Sequence, residues 1–325
     1  MAVVFTILMV LAVVGYLVMI RMPGQSYRGE LAALDSAQRQ YQTQLQRDLA
    51  ILAGDIGERN VFIHTALEKA SAFLQDELKQ AGFTPDLQQY EIMGTTVANI
   101  EVEIKGVTHP KEIVVIGAHY DSVAGSPGAN DNGTGSVSVL ALARAFANST
   151  PARTLRFLLF VNEEPPFFMK EGMGSLAYAR RCRERKEDIV AMVSLETMGH
   201  FDDRKGSQKY PVPFSLFYPS SGNFIAFVGN TGSRDLVRRS IQTFRMRARF
   251  PSEGIATFGF LPGIGWSDQW SFWQQDYPGI MVTDTAPFRY PHYHQMTDVP
   301  DQVDYARLAR VVAGLEHVIA ELAGT

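Results

Sequence analysis

The chain has 325 residues, enough for one large domain or two small ones, and its 46% hydrophobic and 20% charged residues exclude a disordered or collagen-like protein. A net charge of −4, with no basic tract longer than short runs such as residues 179–186, argues against nucleic-acid binding. The single cysteine, Cys182, excludes an internal disulfide and a cysteine-based zinc cluster.

The amino-terminal segment is apolar. Residues 2–20 carry no charge and approach the roughly 20 apolar residues that cross a bilayer as a helix, so we predict a membrane anchor within residues 1–22. A cleaved signal peptide is the alternative, although the run is long and lacks a basic start. Arg21 and Arg28 follow the segment, and a strict count of positive charges would place the rest of the chain in the cytoplasm. Two charges carry little weight. We predict an extracytoplasmic main domain, periplasmic or extracellular.

The remaining sequence alternates between helix and strand patterns. Residues 23–50 are predicted to be a linker with a lead-in helix, and residues 51–325 to be the main domain. Helices are predicted at 65–83 and 136–147, and strands at 98–106, 112–121, 154–164 and within 188–201. This order predicts an α/β fold with helices on both faces of a sheet, where functional sites lie beyond the carboxyl ends of the strands.

Acidic residues and a histidine follow two of these strands. His119 and Asp121 end one buried strand, Asp131 lies in the glycine-rich loop after it, and Glu163 and Glu164 end the next strand. Each residue has an ordinary structural explanation taken singly. Adjacent acids at the end of an apolar strand would repel each other unless a cation or proton offset their charge, so the set predicts a cation site.

Further candidate ligands occur later in the chain. Glu196 ends a third apolar strand, and a proline-rich loop at 287–301 supplies His292, His294 and Asp298. Histidines with carboxylates and no cysteine suit zinc in a catalytic role. The number of candidates suits two metal ions about 3.5–4 Å apart.

The order H-x-D, D, E-E, an acid at a strand end and a late Y-H resembles the co-catalytic two-zinc aminopeptidases, over roughly residues 50–325. That superfamily includes the bacterial leucyl aminopeptidases, glutamate carboxypeptidase II and the glutaminyl cyclases. The resemblance implies a three-layer αβα sandwich with a central mixed, mostly parallel sheet, of the zinc-peptidase, phosphorylase/hydrolase-like kind. It also implies two Zn²⁺ ions per chain and a peptide or aminoacyl substrate; the oligomeric state stays open.

The resemblance assigns a role to each site residue. His119 and Glu196 would bind the first zinc, Glu164 and His294 the second, and Asp131 would bridge the two. The other implied roles are Glu163 as general base for the attack of water on a peptide bond, Tyr293 as a hydrogen-bond donor to the oxyanion, Asp121 as the group that orients His119, and a cis peptide bond between Asp131 and Asn132. The implied activity is removal of amino-terminal residues.

Two positions depart from the family pattern. Glu196 stands where most members have aspartate, which leaves one metal ion conceivable, and Gln269 replaces a histidine. Asp268 beside it either supports a metal ligand or caps a helix. Three alternatives stay open: a single-zinc glutaminyl cyclase, whose members usually carry tryptophan in the place of Tyr293, a non-catalytic binding ectodomain, and a hydrolase for another amide.

Overall fold

Eight strands form one mixed sheet in the computed structural model, which describes residues 2–325 apart from the side chains of residues 2, 3, 5, 7, 8, 11 and 12. The strands are β1 (Asp86–Ile92), β2 (Thr95–Ile104), β3 (His109–His119), β4 (Arg153–Phe160), β5 (Asp188–Glu196), β6 (Ile225–Asn230), β7 (Ser252–Thr257) and β8 (Gly279–Thr283). Their order across the sheet is β1-β2-β4-β3-β5-β8-β6-β7. Four of the seven neighbouring pairs are parallel, which confirms the predicted sheet.

Helices cover both faces of the sheet and complete three layers. The α-helices in the described residues are α1 (Ala2–Gly15), α2 (Ser36–Leu49), α3 (His64–Gln80), α4 (Thr134–Phe146), α5 (Gly174–Glu184), α6 (Arg234–Arg247), α7 (Gln269–Trp273) and α8 (Tyr305–Ala323). The larger core joins one face of the sheet to α2, α3, α4, α6 and α8. A smaller core on the other face joins β3 and β4 to α5 and α7.

The sequence patterns explain how these layers form. In α8 the buried residues Leu308, Val311, Val312, Leu315, Val318 and Ile319 recur at helical spacing, so the helix presents one apolar face to the core. In β3 the run Val114–Val115–Ile116 is fully buried, as expected for a central strand covered on both faces. The parallel strands β4, β3 and β5 are neighbours, so their carboxyl ends meet at one edge of the sheet.

One predicted strand is shorter than expected. The pattern at 154–164 predicts a strand that includes both glutamates, whereas β4 ends at Phe160. Asn162 takes a left-handed conformation with φ of 58°, which turns the chain directly before Glu163. Because the chain is no longer extended there, strand alternation does not force Glu163 and Glu164 to opposite faces.

The apolar amino terminus is helical from Ala2 to Ile20. It consists of the 14-residue helix α1 and a short π-helix, Tyr16–Ile20. Within residues 2–325 no helix is long and apolar enough to cross a membrane.

Residues 16–28, here called the arm, pack along the edge strand β7. The Ser252 main-chain N–H donates to Ser26 Oγ at 2.9 Å, and Arg245 donates to the Pro23 carbonyl at 3.0 Å. Met22 is buried in the larger core. The arm therefore covers an edge that would otherwise offer unpaired backbone groups.

These contacts predict where the chain tolerates truncation. Removal of residues 2–15 should leave the free energy of unfolding unchanged, because the described side chains of α1 are mostly exposed. Removal of residues 2–28 should lower it by about 2 kcal/mol or more, since burial of a methionine alone contributes about 1.5–3 kcal/mol. Urea denaturation of both variants measures the difference, and equal stability would show that the arm contributes nothing.

Candidate active site

Two groups of potential metal ligands lie at the carboxyl edge of β3, β4 and β5. One consists of His119, Asp131 and Glu196, and the other of Asp131, Glu164 and His294. Within each group the donor atoms lie within 4.8 Å of one another. The structure thus brings together all five residues predicted as ligands, and Asp131 belongs to both groups.

The distances explain how Asp131 is shared. His119 Nε2 lies 3.3 Å from Glu196 Oε2 and 3.5 Å from Asp131 Oδ1. The other oxygen, Asp131 Oδ2, lies 3.1 Å from His294 Nε2, which is in turn 3.5 Å from Glu164 Oε2. Each oxygen of Asp131 therefore faces a different group, as a bridging carboxylate requires.

The chemistry of these residues fits a pair of zinc ions. Imidazole nitrogens and carboxylate oxygens are the zinc ligands of catalytic sites. Glu164 Oε1 is buried and has no hydrogen-bond partner among the described residues. A buried, unpaired carboxylate oxygen is costly unless a cation or a donor faces it. Both observations support a cation at this position.

The electrostatics of the site point the same way. Burial raises the pKa of the Glu163 carboxyl, and the charges of Glu164 and Glu196 raise it further, against the opposing effect of His119. Burial lowers the pKa of His119, but the charges of Glu163 and Glu196 outweigh this and raise it overall. Crowded buried carboxylates of this kind favour positive charge between them.

Asp121 holds the chain where the two glutamates follow β4. Its Oδ1 accepts from the Glu163 N–H at 3.1 Å, and its Oδ2 accepts from the Glu164 N–H at 3.2 Å. His119 Nδ1 lies 3.2 Å from the Asp121 main-chain carbonyl and 3.5 Å from its carboxylate. Asp121 thus faces the back of His119, as predicted, and also fixes Glu163 and Glu164.

Glu196 reaches the site despite its extra methylene. Its Oε2 accepts from Ser267 Oγ at 2.7 Å and from Asn132 Nδ2 at 3.2 Å. Asn132 Oδ1 in turn accepts from the main-chain N–H groups of Gly135 and Thr197. Sequence reasoning did not single out the side chains of Ser267 and Asn132. They are uncharged, and their partners are distant in the chain.

The loop that carries Asp131 is fixed by a residue from the proline-rich segment. The peptide bond between Asp131 and Asn132 is cis, as predicted. Asp298 accepts from the main-chain N–H groups of Asn130 at 2.8 Å and Asp131 at 3.1 Å. Asp298, the acid noted in the proline-rich loop at 287–301, therefore binds backbone. Its neighbour His292 contacts Thr297 and belongs to neither ligand group.

Arg59 supports the same loop from its buried side and was not predicted. It is fully buried and donates to the carbonyls of Gly57, Tyr120, Pro127 and Gly128. Burial lowers its pKa to about 10, so it stays charged at neutral pH. No local sequence pattern marks it, because its partners are carbonyl oxygens, which every residue has.

Replacing Arg59 by methionine should lower the free energy of unfolding by at least about 3 kcal/mol, because several buried carbonyls would lose a charged donor. Denaturation in urea gives the value. Arg47→Met is the matched control, since Arg47 is half exposed and its ion pairs with Asp48 and Glu77 should contribute about 1 kcal/mol or less. Equal losses in the two variants would contradict a supporting role for Arg59.

The remaining predicted residues lie around the ligand groups. The Tyr293 ring stacks on His294 with centroids 3.9 Å apart and lines the cleft that contains Glu163 and Glu164. Asp268 precedes α7 but its side chain makes no cap hydrogen bond. Both its oxygens are buried without partners among the described residues, and burial raises its pKa to about 7. Gln269 Nε2 donates to the Ile264 carbonyl.

Comparison with known proteins identifies the family. The family model described as Peptidase family M28 matches residues 99–319. The chain belongs to peptidase family M28. Protein YfbL of Escherichia coli (strain K12), described as uncharacterized, is 32% identical over 281 residues, 84% of this M28 chain and 85% of that protein. An aminopeptidase of Pseudomonas aeruginosa (strain UCBPP-PA14) is 30% identical over 177 residues, 53% of this chain and 30% of its own.

Solved structures share the fold of this chain. A zinc aminopeptidase from Bacillus subtilis matches with a TM-score of 0.69 at 15% identity, over 86% of this chain and 95% of its own. A glutaminyl cyclase from Fimbriiglobus ruber matches with a TM-score of 0.63 at 17% identity, over 90% of this chain and 97% of its own. These likenesses confirm the predicted three-layer fold.

Proposed function

We propose that this M28 protein is a zinc-dependent aminopeptidase with two metal ions, which releases amino-terminal residues from peptides. The observation that carries the proposal is the pair of ligand groups joined by Asp131, with Glu163 beside them in the same cleft. His119 and Glu196 would hold one ion, Glu164 and His294 the other. Bound zinc supplies a water of lowered pKa and polarises the substrate carbonyl.

The chain's own residues supply the proton transfers. Glu163 Oε2 lies 3.7 Å from His119 Nε2, so the carboxylate stands at the edge of the ligand groups. In the proposed reaction it accepts the proton of the attacking water and returns it to the leaving amine. The Tyr293 hydroxyl donates to the oxyanion that develops on the carbonyl oxygen. A free amino terminus is attracted by the surrounding carboxylates.

A substrate panel tests the activity. Zinc-loaded enzyme is incubated with aminoacyl anilides, with a peptide that begins with glutamine, and with N-acylated amino acids. We expect hydrolysis of the anilides. Release of pyroglutamyl product in its place would indicate a glutaminyl cyclase, and cleavage confined to N-acyl amino acids would indicate another amide hydrolase. If the enzyme hydrolyses or cyclises none of these substrates, a non-catalytic binding protein is favoured.

Membrane association of an extracytoplasmic enzyme is a separate part of the proposal. It is supported by the exposed apolar residues of α1, such as Met9, Val10 and Val13. Arginines stand beside the end of this segment, because Arg238 of α6 donates to the Arg21 carbonyl. Such a combination suits attachment at the surface of an anionic bilayer. When the proteins are sedimented with anionic vesicles, the full chain should be found in the pellet and the variant without residues 2–15 in the supernatant.

A further inference from the structure

A largely apolar pocket opens beside the ligand groups. The space between its walls, including the open mouth, is about 790 Å³. Its walls include Tyr210, Phe214, Tyr218, Phe224, Ile264 and Met281. Glu196 and Tyr293 also line it, so the pocket adjoins the reaction site. One charged side chain, Glu253, lies in this apolar lining well away from the ligand groups.

The sheet register fixes how far Glu253 is from the ligand groups. Glu196 of β5 pairs with Thr283 of β8, Thr283 with Ala226 of β6, and Ala226 with Glu253 of β7. All four residues line the pocket, so the row forms its floor. Three strand spacings separate the two glutamates by about 14 Å between Cα atoms. This span leaves room for a reacting amide at one end and an extended side chain towards the other.

The Glu253 carboxylate retains hydrogen-bonding capacity. Its side chain is 21% exposed, and Arg245 Nη2 lies 3.8 Å away, beyond hydrogen-bond distance. Arg245 directs its hydrogen bonds to Ser252 and to the carbonyls of Pro23 and Gly24. The Ser26 hydroxyl and the charge of Arg28 also stabilise the ionised carboxylate. A carboxylate accepts about four hydrogen bonds, so these neighbours leave sites for a further donor.

We propose that Glu253 makes this enzyme selective for peptides whose amino-terminal residue is lysine or arginine. The inference rests on the proposed aminopeptidase function and names its substrate class. The methylene groups of a lysine or arginine side chain pack against the apolar walls, and the cationic end meets Glu253. An apolar side chain of the same length brings no donor to the carboxylate and so lacks the charge-assisted hydrogen bond that favours the cationic substrates.

Matched substrates test the proposal. The zinc-loaded full chain is assayed with the 4-nitroanilides of lysine and norleucine, which differ by the terminal ammonium, and of arginine and its neutral analogue citrulline. We expect kcat/KM to favour the cationic member of each pair by about 10- to 100-fold, the range of one charge-assisted hydrogen bond. Glu253→Gln should abolish the preference by slowing the cationic substrates while norleucine hydrolysis is kept or improved.

Controls separate selectivity from structure and from activity. Glu91→Gln, on β1 at the opposite edge of the sheet, should keep the preference. Equal hydrolysis of lysine and norleucine substrates by the wild type, or an equal loss on all four in Glu253→Gln, would overturn the proposal. If no anilide is hydrolysed, the proposed aminopeptidase function is wrong. The binding affinities of lysinamide and norleucinamide, measured by calorimetry, then test the selectivity separately. Equal binding of the two amides overturns it, whereas a lysinamide preference lost in Glu253→Gln supports it.

Discussion

Replacing Glu163 by glutamine should lower kcat by about 100- to 10,000-fold, the usual effect of losing a general base. Glutamine keeps the shape of the side chain but cannot accept the proton of the attacking water. Asp121 binds the main-chain N–H of Glu163, so the backbone position does not depend on the carboxylate. We therefore expect metal content and KM to stay near the wild-type values, as measured by elemental analysis and steady-state kinetics.

Glu164→Gln is the matched comparison, because Glu164 follows directly and Asp121 binds its N–H in the same way. Its Oε2 belongs to a ligand group, so this variant should lose metal as well as activity. Near-normal turnover in Glu163→Gln would reject the assigned mechanism even with both metal sites intact. Loss of metal in Glu163→Gln would show that Glu163 is a ligand.

Metal analysis of the wild-type enzyme should find two zinc ions per chain, and single ligand replacements should remove them selectively. Glu196→Ala should lose the ion held with His119, and His294→Ala the ion held with Glu164. Asp131→Ala should lose both, because each of its oxygens faces a different group. Activity should fall with metal content in all three variants.

His292→Ala is the control for the metal experiment. His292 lies two residues from His294 in the same loop, but its Nδ1 contacts Thr297 and it belongs to neither ligand group. This variant should keep two ions. A single ion in the fully active wild-type enzyme would contradict the two-metal proposal and favour the arrangement of a single-zinc cyclase.

The ligand set was predictable because its signals are local. His119 and Glu196 end apolar strands, Glu164 follows one closely, and Asp131 lies in the glycine-rich loop after β3. Parallel neighbouring strands bring their carboxyl ends to one edge, so a strand pattern and a few acids suffice to predict a site. The resemblance of the spaced motifs then added His294, which lies on a loop that no strand pattern places.

The residues that hold the ligands were less accessible to sequence reasoning. Apart from Gly57, the partners of Arg59 lie 61 or more positions away, and Ser267 binds Glu196 across 71 positions, so no spacing marks either residue. The turn at Asn162, which lets Glu163 and Glu164 serve one site, could not be placed from the sequence, because the apolar pattern runs past the end of β4.

The sequence by itself determined the strand and helix order, the candidate ligand residues and the chemistry they suit, since these depend on local periodicity and residue type. Only the tertiary structure decided that the arm covers β7. It also decided that Glu253 faces the same pocket as Glu196. These features depend on the pairing of strands distant in the chain, because a row across four strands arises from register and not from any local pattern.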